Sequence, residues 1–237
     1  MWMEGSTSGV YRMWFQHMDM NRIPFYQYNT IIVGTGAAGL NAAVTLHKLG
    51  QKNIALITEG RYMGTSRNTG SDKQTYYKMT QCGSEPDSVR KMAKTLFEGG
   101  CVDGDIAMAE AAGSLRAFYH LVDIGVPFPF NKSGEYVGYK TDHDPLKRGI
   151  SAGPLTSKYM TECLERQAEE RGIPFFDGYQ AVRLLTEEKN GEKWAAGIIA
   201  LNKRKAASAD ERYAVFSAVN IIWATGGEGN RRKKRKK

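Results

Sequence analysis

The spacing of apolar positions changes period several times along the chain. Residues 30–33 (TIIV) form a short β-branched run that predicts a buried strand. After a glycine-rich turn, Leu40, Ala43, Val44 and His47 recur at helical spacing within residues 37–49. Gly50 stands where a helix-ending glycine belongs, and residues 53–57 (NIALI) predict a second buried strand, which completes a β-α-β unit.

Residues 60–83 are polar and small, too long a stretch for an ordinary connection, and loops of that length are commonly functional. Helical patterns return at 86–98 and 105–121; in the second, Ile106, Met108, Ala112, Leu115 and Leu121 predict one broad apolar face, and both helices are expected to cover the sheet. A Pro-rich turn at 125–136 precedes a helix over 155–171, ended by Gly172-Ile173-Pro174. Residues 180–185, 194–201 and 212–218 predict three strands of a β-meander, the first two joined by a turn around Asn190-Gly191. A separate strand at 220–223 runs into Ala224-Thr225-Gly226-Gly227. The alternation of strands and helices gives an α/β class with one core, in keeping with 237 residues of 41% hydrophobic content.

Charge changes this picture little. The formal charge of +8 resides in the end of the chain: seven of the 33 basic residues are residues 231–237, leaving 26 against 25 acidic ones. That block is either a solvated end or a patch for phosphates, acidic lipid or nucleic acid. The three cysteines, Cys82, Cys101 and Cys163, are odd in number and unpaired in spacing, which argues against a disulfide framework or thiolate metal site and fits a reducing cytoplasm. The four histidines, His17, His47, His120 and His143, share no ligand spacing. The first 29 residues lack the apolar core of a secretion signal, and no apolar run approaches the ~20 residues of a membrane span, so a soluble cytoplasmic protein is expected.

The candidate chemistry lies at Gly34-Thr35-Gly36-Ala37-Ala38-Gly39, a G-x-G-x-x-G run placed after a strand and opening a helix. Gly34 suits the tight turn, Gly36 lets backbone approach a pyrophosphate, and Gly39 permits close helix packing. The helix N-terminus offers amide donors and partial positive charge. Glu59, 25 residues after Gly34 at the end of the second strand, can accept both ribose hydroxyls and repels a 2′-phosphate, which disfavours NADP. The fingerprint leaves FAD and NAD open. The long loop, helices and meander that intervene before the ATGG segment favour FAD.

These residues resemble the flavoprotein subunits of the succinate dehydrogenase, fumarate reductase and L-aspartate oxidase family. The resemblance runs over 28–227 and rests on TIIVGTGAAGLNAAVTLHKLG, ITEG, TSRNTGSDKQTYYK, GYKTDHDPLKRGISAGPLTSKYMTECLERQ and IIWATGG; the loop and the TDHDP segment look closer to a fumarate-reductase-like branch. It implies a Rossmann-like FAD-binding domain of the glutathione-reductase type, spanning 30–228 between an extension (1–29) and a basic tail (229–237). It further implies that Gly34, Gly36, Ala37, Ala38 and Gly39 hold the pyrophosphate, Glu59 and Gly60 the adenosine ribose, and the Val182 backbone the adenine. Thr65, Ser66 and Gly70 would lie beside the flavin, with Ala224, Thr225 and Gly226 closing over the cofactor.

Two departures accompany the resemblance. Respiratory members carry a histidine that bonds covalently to FAD, whereas this loop reads Thr65-Ser66-Arg67, so FAD is expected to be noncovalent. The family's capping domain and returning segment, with the arginines and histidine that bind and protonate a dicarboxylate, would follow the ATGG segment and are not in this sequence. Arg67 and His143 are read as solvated loop residues, not substitutes. The family moves a hydride between flavin and dicarboxylate, with an electron-transfer partner. Three readings remain at this point: such an oxidoreductase represented by its FAD-binding portion, an FAD-binding module without catalysis, and a nucleic-acid-interacting protein acting through its basic end.

Overall fold

The computed structural model describes residues 22–71, 74–82, 86–141, 144, 146–204 and 212–226. His143 and the basic run at 231–237 lie outside the described residues, as does most of the expected N-terminal extension. The strands are β1 (Phe25–Val33), β2 (Ile54–Thr58), β3 (Tyr76–Tyr77), β4 (Gly149–Ile150), β5 (Phe175–Asp177), β6 (Tyr179–Lys189), β7 (Glu192–Asn202) and β8 (Tyr213–Trp223). The helices, numbered here in chain order, are α1 (Ala37–Lys48), α2 (Thr65–Asn68), α3 (Val89–Glu98), α4 (Gly104–Asp123) and α5 (Thr156–Glu170). Among the described residues, no helix is long and apolar enough to cross a membrane.

The chain divides into two compact units, one comprising Met1–Thr65 with Glu165–Lys237, the other Ser66–Leu164. The first is organised by a six-stranded sheet of order β5-β2-β1-β8-β7-β6. β5, β2, β1 and β8 run parallel, while β7 is antiparallel to β8 and β6 to β7. All five residues of β2 are buried, as expected for an inner parallel strand with both faces covered. Ile31, Val33, Ala55, Ile57, Ile198, Ala200, Ala214 and Phe216 make one continuous core across β1, β2, β7 and β8. Tyr26 stacks on Phe216 at 4.9 Å and meets Phe176 edge-on at 4.6 Å.

These contacts correct two expectations and add one strand. β1 begins at Phe25, inside the stretch read as an extension, because its first half pairs with β8 (Phe25↔Val215 onward) and Ile23 is buried with Leu185, Ile199 and Val215. The strands expected separately at 212–218 and 220–223 form a single strand, β8: its first half pairs with β7, and from Val215 to Trp223 it lies against β1. β5 had no sequence signal, being three residues long behind Pro174, yet it supplies the outer parallel neighbour of β2. The β6–β7 hairpin forms as expected, with Asn190 (φ 54°) and Gly191 (φ 80°) both left-handed, as a type I′ turn requires.

In the second unit α3 and α4 pack on each other through Met92, Ala93, Ala107 and Ala111 and so build a core of their own. Ser88 and Asp103 cap them, accepting from the amides of Lys91 (3.2 Å) and of Asp105 and Ile106 (2.9 and 3.2 Å). The buried stripe of α4 is Ala107, Ala111, Ser114, Phe118 and Leu121, whereas Ile106 and Met108 are exposed. The expected face was therefore rotated by about one residue: small Ala and Ser side chains, weak hydrophobic signals, set how closely α3 can approach.

Arg148 is fully buried in this unit. Its guanidinium donates to both Asp87 oxygens (2.8 and 2.7 Å), to Tyr77 Oη (3.1 Å) and to Thr95 Oγ1 (2.9 Å). Burial raises the Asp87 carboxyl, but the Arg148 fork and the Thr80 and Ser88 amides outweigh it and hold the group below the usual carboxylate range. Replacing Arg148 by Met leaves Asp87 buried without its cation, so unfolding in urea should show a loss of about 3–5 kcal/mol. Because the Asp87 value is depressed in the folded state, its contribution is present above about pH 4 and lost as pH falls below it; the urea midpoint of the native protein should drop more steeply between about pH 4.5 and pH 2 than that of Asp87→Asn.

Candidate cofactor site

The C-terminal ends of β1, β2 and β8 meet beside the N-terminus of α1. The Gly34 amide donates to the Ile57 carbonyl at the end of β2 (2.8 Å), and the Ala224 amide after β8 donates to the Val33 carbonyl (2.8 Å). Thr35 Oγ1 donates to Thr58 Oγ1 at 3.1 Å, both residues being buried. The turn is thus tied to β2 and β8 before α1 begins.

Two of the three glycines have a steric reason on this side of the turn. Gly34 has φ +111°, and a Cβ there would sit 2.3 Å from the Ala224 carbonyl oxygen. A Cβ at Gly39 would lie 2.1 Å from the Gly34 carbonyl oxygen and 3.4 Å from Ala224 Cβ, so the helix seats directly on its own turn. Gly36 is the N-cap of α1; it provides no side-chain cap, and the first turn has no acidic residue. The first intrahelical bond runs from the Leu40 amide to the Gly36 carbonyl (3.0 Å), and a helix N-terminus directs its first-turn amides outward along the axis. An anionic group of a ligand fits that donor set and the dipole behind it.

Glu59 follows Thr58 directly and so stands at the same junction. Its carboxylate pairs with Lys203, whose amide donates to the Gly178 carbonyl (2.8 Å); both side chains are partly exposed. Beyond it Asp177 accepts from the Arg61 amide (2.8 Å) and pairs with Arg204. The Arg61 guanidinium lies 4.1 Å over the Phe175 ring and pairs with Glu165 and Glu169, one turn apart on α5. Burial lowers the Arg61 guanidinium and the two carboxylates raise it, with a net shift upward. A Cβ at Gly60 would meet only the flexible Met63 side chain, at 2.3 Å from Sδ.

Val182 lies on β6 where the register slips: Ala181 pairs with Ala200 and Arg183 with Ile199, leaving Val182 without a partner residue. It is half exposed, and such a bulge frees backbone polar groups from the ladder. Ala224, Thr225 and Gly226 (φ +83°) leave β8 beside Gly34. Thr65 opens α2 in the first unit. Ser66 and Gly70 belong to the second unit, where a Cβ at Gly70 would come 3.1 Å from Leu155 Cδ2. Arg67, expected as a solvated residue, is mostly buried, with Glu162 3.8 Å away. The sequence reading missed Lys203, Asp177 and Arg204, because partners 144 and 27 residues apart leave no local pattern.

Parallel strands with a glycine turn, a helix start without a side-chain cap and a carboxylate closing the neighbouring strand define a dinucleotide-binding α/β domain. A family model described as an FAD binding domain matches residues 29–237, and the chain belongs to that family. Among relatives it is 27% identical over 226 residues to the 8-methylmenaquinol:fumarate reductase flavoprotein subunit of Wolinella succinogenes, covering 94% of this chain and 35% of that protein. It is 29% identical to L-aspartate oxidase of Pseudomonas aeruginosa, covering 85% of this chain and 38% of the relative. The fold is similar to that of the E. coli quinol fumarate reductase flavoprotein (TM-score 0.73, 20% identity, 87% of this chain and 34% of that one). It is also similar to that of a flavocytochrome c3 fumarate reductase (TM-score 0.68, 20% identity, 87% and 35%). The chain is an FAD-binding domain of the fumarate reductase and succinate dehydrogenase type and spans about a third of the length of the relatives it matches.

Gly34→Ala places a Cβ against a backbone carbonyl at positive φ and should lower stability by about 2–3 kcal/mol in thermal unfolding. The Lys203–Glu59 pair is partly exposed, so Lys203→Met should change stability by less than about 1 kcal/mol in the same measurement.

Proposed function

We propose that the domain, which begins at Phe25 and not at residue 30, binds FAD noncovalently with its diphosphate on the N-terminus of α1. Backbone amides of Gly36, Ala37, Ala38 and Gly39 receive the phosphates, and Gly34 shapes the turn beneath them. Glu59 accepts the adenosine ribose hydroxyls, Gly60 leaves room beside them, the Val182 backbone faces the adenine, and Ala224, Thr225 and Gly226 line the remaining side. For Thr65, Ser66 and Gly70 the assignment to the flavin rests on loop sequence alone. Noncovalent binding is supported by the Thr65-Ser66-Arg67 sequence, which offers no histidine for attachment.

FAD, when bound, supplies two-electron chemistry through its isoalloxazine ring. The chain's own residues bind and orient it. Kinship with the fumarate reductase and succinate dehydrogenase flavoproteins supports a small dicarboxylate as substrate of the whole protein, with a second protein exchanging electrons. The cysteine usage supports a cytoplasmic site of action.

The observation that carries this reading is the start of α1, with no side-chain cap and no acid in its first turn, beside a carboxylate at the end of the adjoining strand. Glu59→Gln keeps the shape but loses a charged acceptor, which should weaken FAD by about 1.5–3 kcal/mol, or roughly 10- to 150-fold in Kd, in a flavin fluorescence titration. An unchanged Kd in a folded Glu59→Gln variant would remove Glu59 from the site.

A further inference from the structure

Within the Ser66–Leu164 unit a cavity of about 270 Å³ is lined by Lys78, Gln81, Cys82, Tyr119, Glu135 and Tyr136. Lys78 is 2% exposed, although lysine is almost never buried without an ionic partner. Its Nζ donates to the carbonyls of Met79 and Tyr136 at 3.4 and 3.5 Å, the long end of hydrogen bonding, and sits 4.8 Å over the Phe118 ring. Of the buried carboxylates of this unit, Asp87 is taken up by the Arg148 fork and Asp144 lies 3.4 Å from the same guanidinium. Lys78 is therefore a buried residue that lines a cavity, its amine held by weak acceptors, one of them the carbonyl of the lining residue Tyr136.

We propose that Lys78 is a reactive amine that forms a reversible imine with a small uncharged aldehyde or ketone entering this cavity. Its chemistry follows from the surroundings. Burial lowers the Lys78 amine below the usual lysine range, against a smaller opposing effect of Cys82, so more of it is deprotonated near neutral pH than for an exposed lysine. The free pair on nitrogen adds to the carbonyl carbon; the resulting carbinolamine loses its hydroxyl together with the nitrogen proton as water, leaving C=N. Glu135 lines the same space and can pass that proton. Its carboxylate also disfavours a negatively charged ligand, which selects an uncharged carbonyl over an anion. The volume lies below the roughly 300–1,000 Å³ of drug-sized sites, so the ligand is small.

The test is reductive trapping of the full 237-residue chain with propanal and cyanoborohydride near neutral pH, followed by peptide mass mapping. Lys78 should be alkylated roughly tenfold faster than the exposed Lys94. In Lys78→Met, which retains an apolar stem, that adduct should vanish while circular dichroism stays native. Alkylation of Lys78 no faster than Lys94 would overturn the proposal. So would protection of Lys78 by acetate together with failure of propanal to react, since that outcome marks an anion site.

Discussion

The fold turns on how closely three strand ends approach one helix start. The Gly34 amide reaches β2, Ala224 reaches β1, and there is no room for a side chain between Gly34 and the Ala224 carbonyl or between Gly39 and the turn. That closeness sets α1 on the sheet with its N-terminus at the strand ends. A bulky residue at Gly34 or Gly39 would separate the pieces whose convergence makes the donor set. The pairing of β8 with β1 from Val215 to Trp223 belongs to the same constraint, since it brings residues separated by most of the chain to one edge of the turn.

Where one interaction dominates locally, the sequence was readable. The β-branched run at 30–33, the glycine turn and the Asn190-Gly191 hairpin each carry their own backbone preference, and each formed as expected. Structure set by distant partners was not readable. Phe25 to Tyr28 alternate ambiguously until β8 lies beside them, and β5 is too short to carry a period. The stripe on α4 was misplaced because Ala107, Ala111 and Ser114 are buried for their small size, a property that hydrophobicity alone does not encode. At the candidate site the glycines and Glu59 were legible from spacing, whereas Lys203 was not, because its place beside Glu59 is fixed by the β6–β7 excursion.

The two units are held by different physics. The sheet unit has an apolar core of β-branched, Ala and aromatic residues. The Ser66–Leu164 unit holds a buried ion pair, Arg148 with Asp87, and Arg148 donates further hydrogen bonds to Tyr77 and Thr95. A buried pair of this kind contributes little net stability over an apolar substitute but is costly to break from one side. The carbonyl-lined amine of Lys78 and the fully paired guanidinium of Arg148 lie in one unit, so satisfied and weakly satisfied buried cations can be compared directly.

The central claim is that the α1 amides receive a diphosphate. The most direct measurement is an amide nitrogen–proton NMR titration of the labelled chain with FAD. The largest shifts are expected at Gly36, Ala37, Ala38 and Gly39, with smaller ones at Glu59 and Val182. Saturable FAD binding that leaves the Gly36 to Gly39 amides unmoved would contradict it.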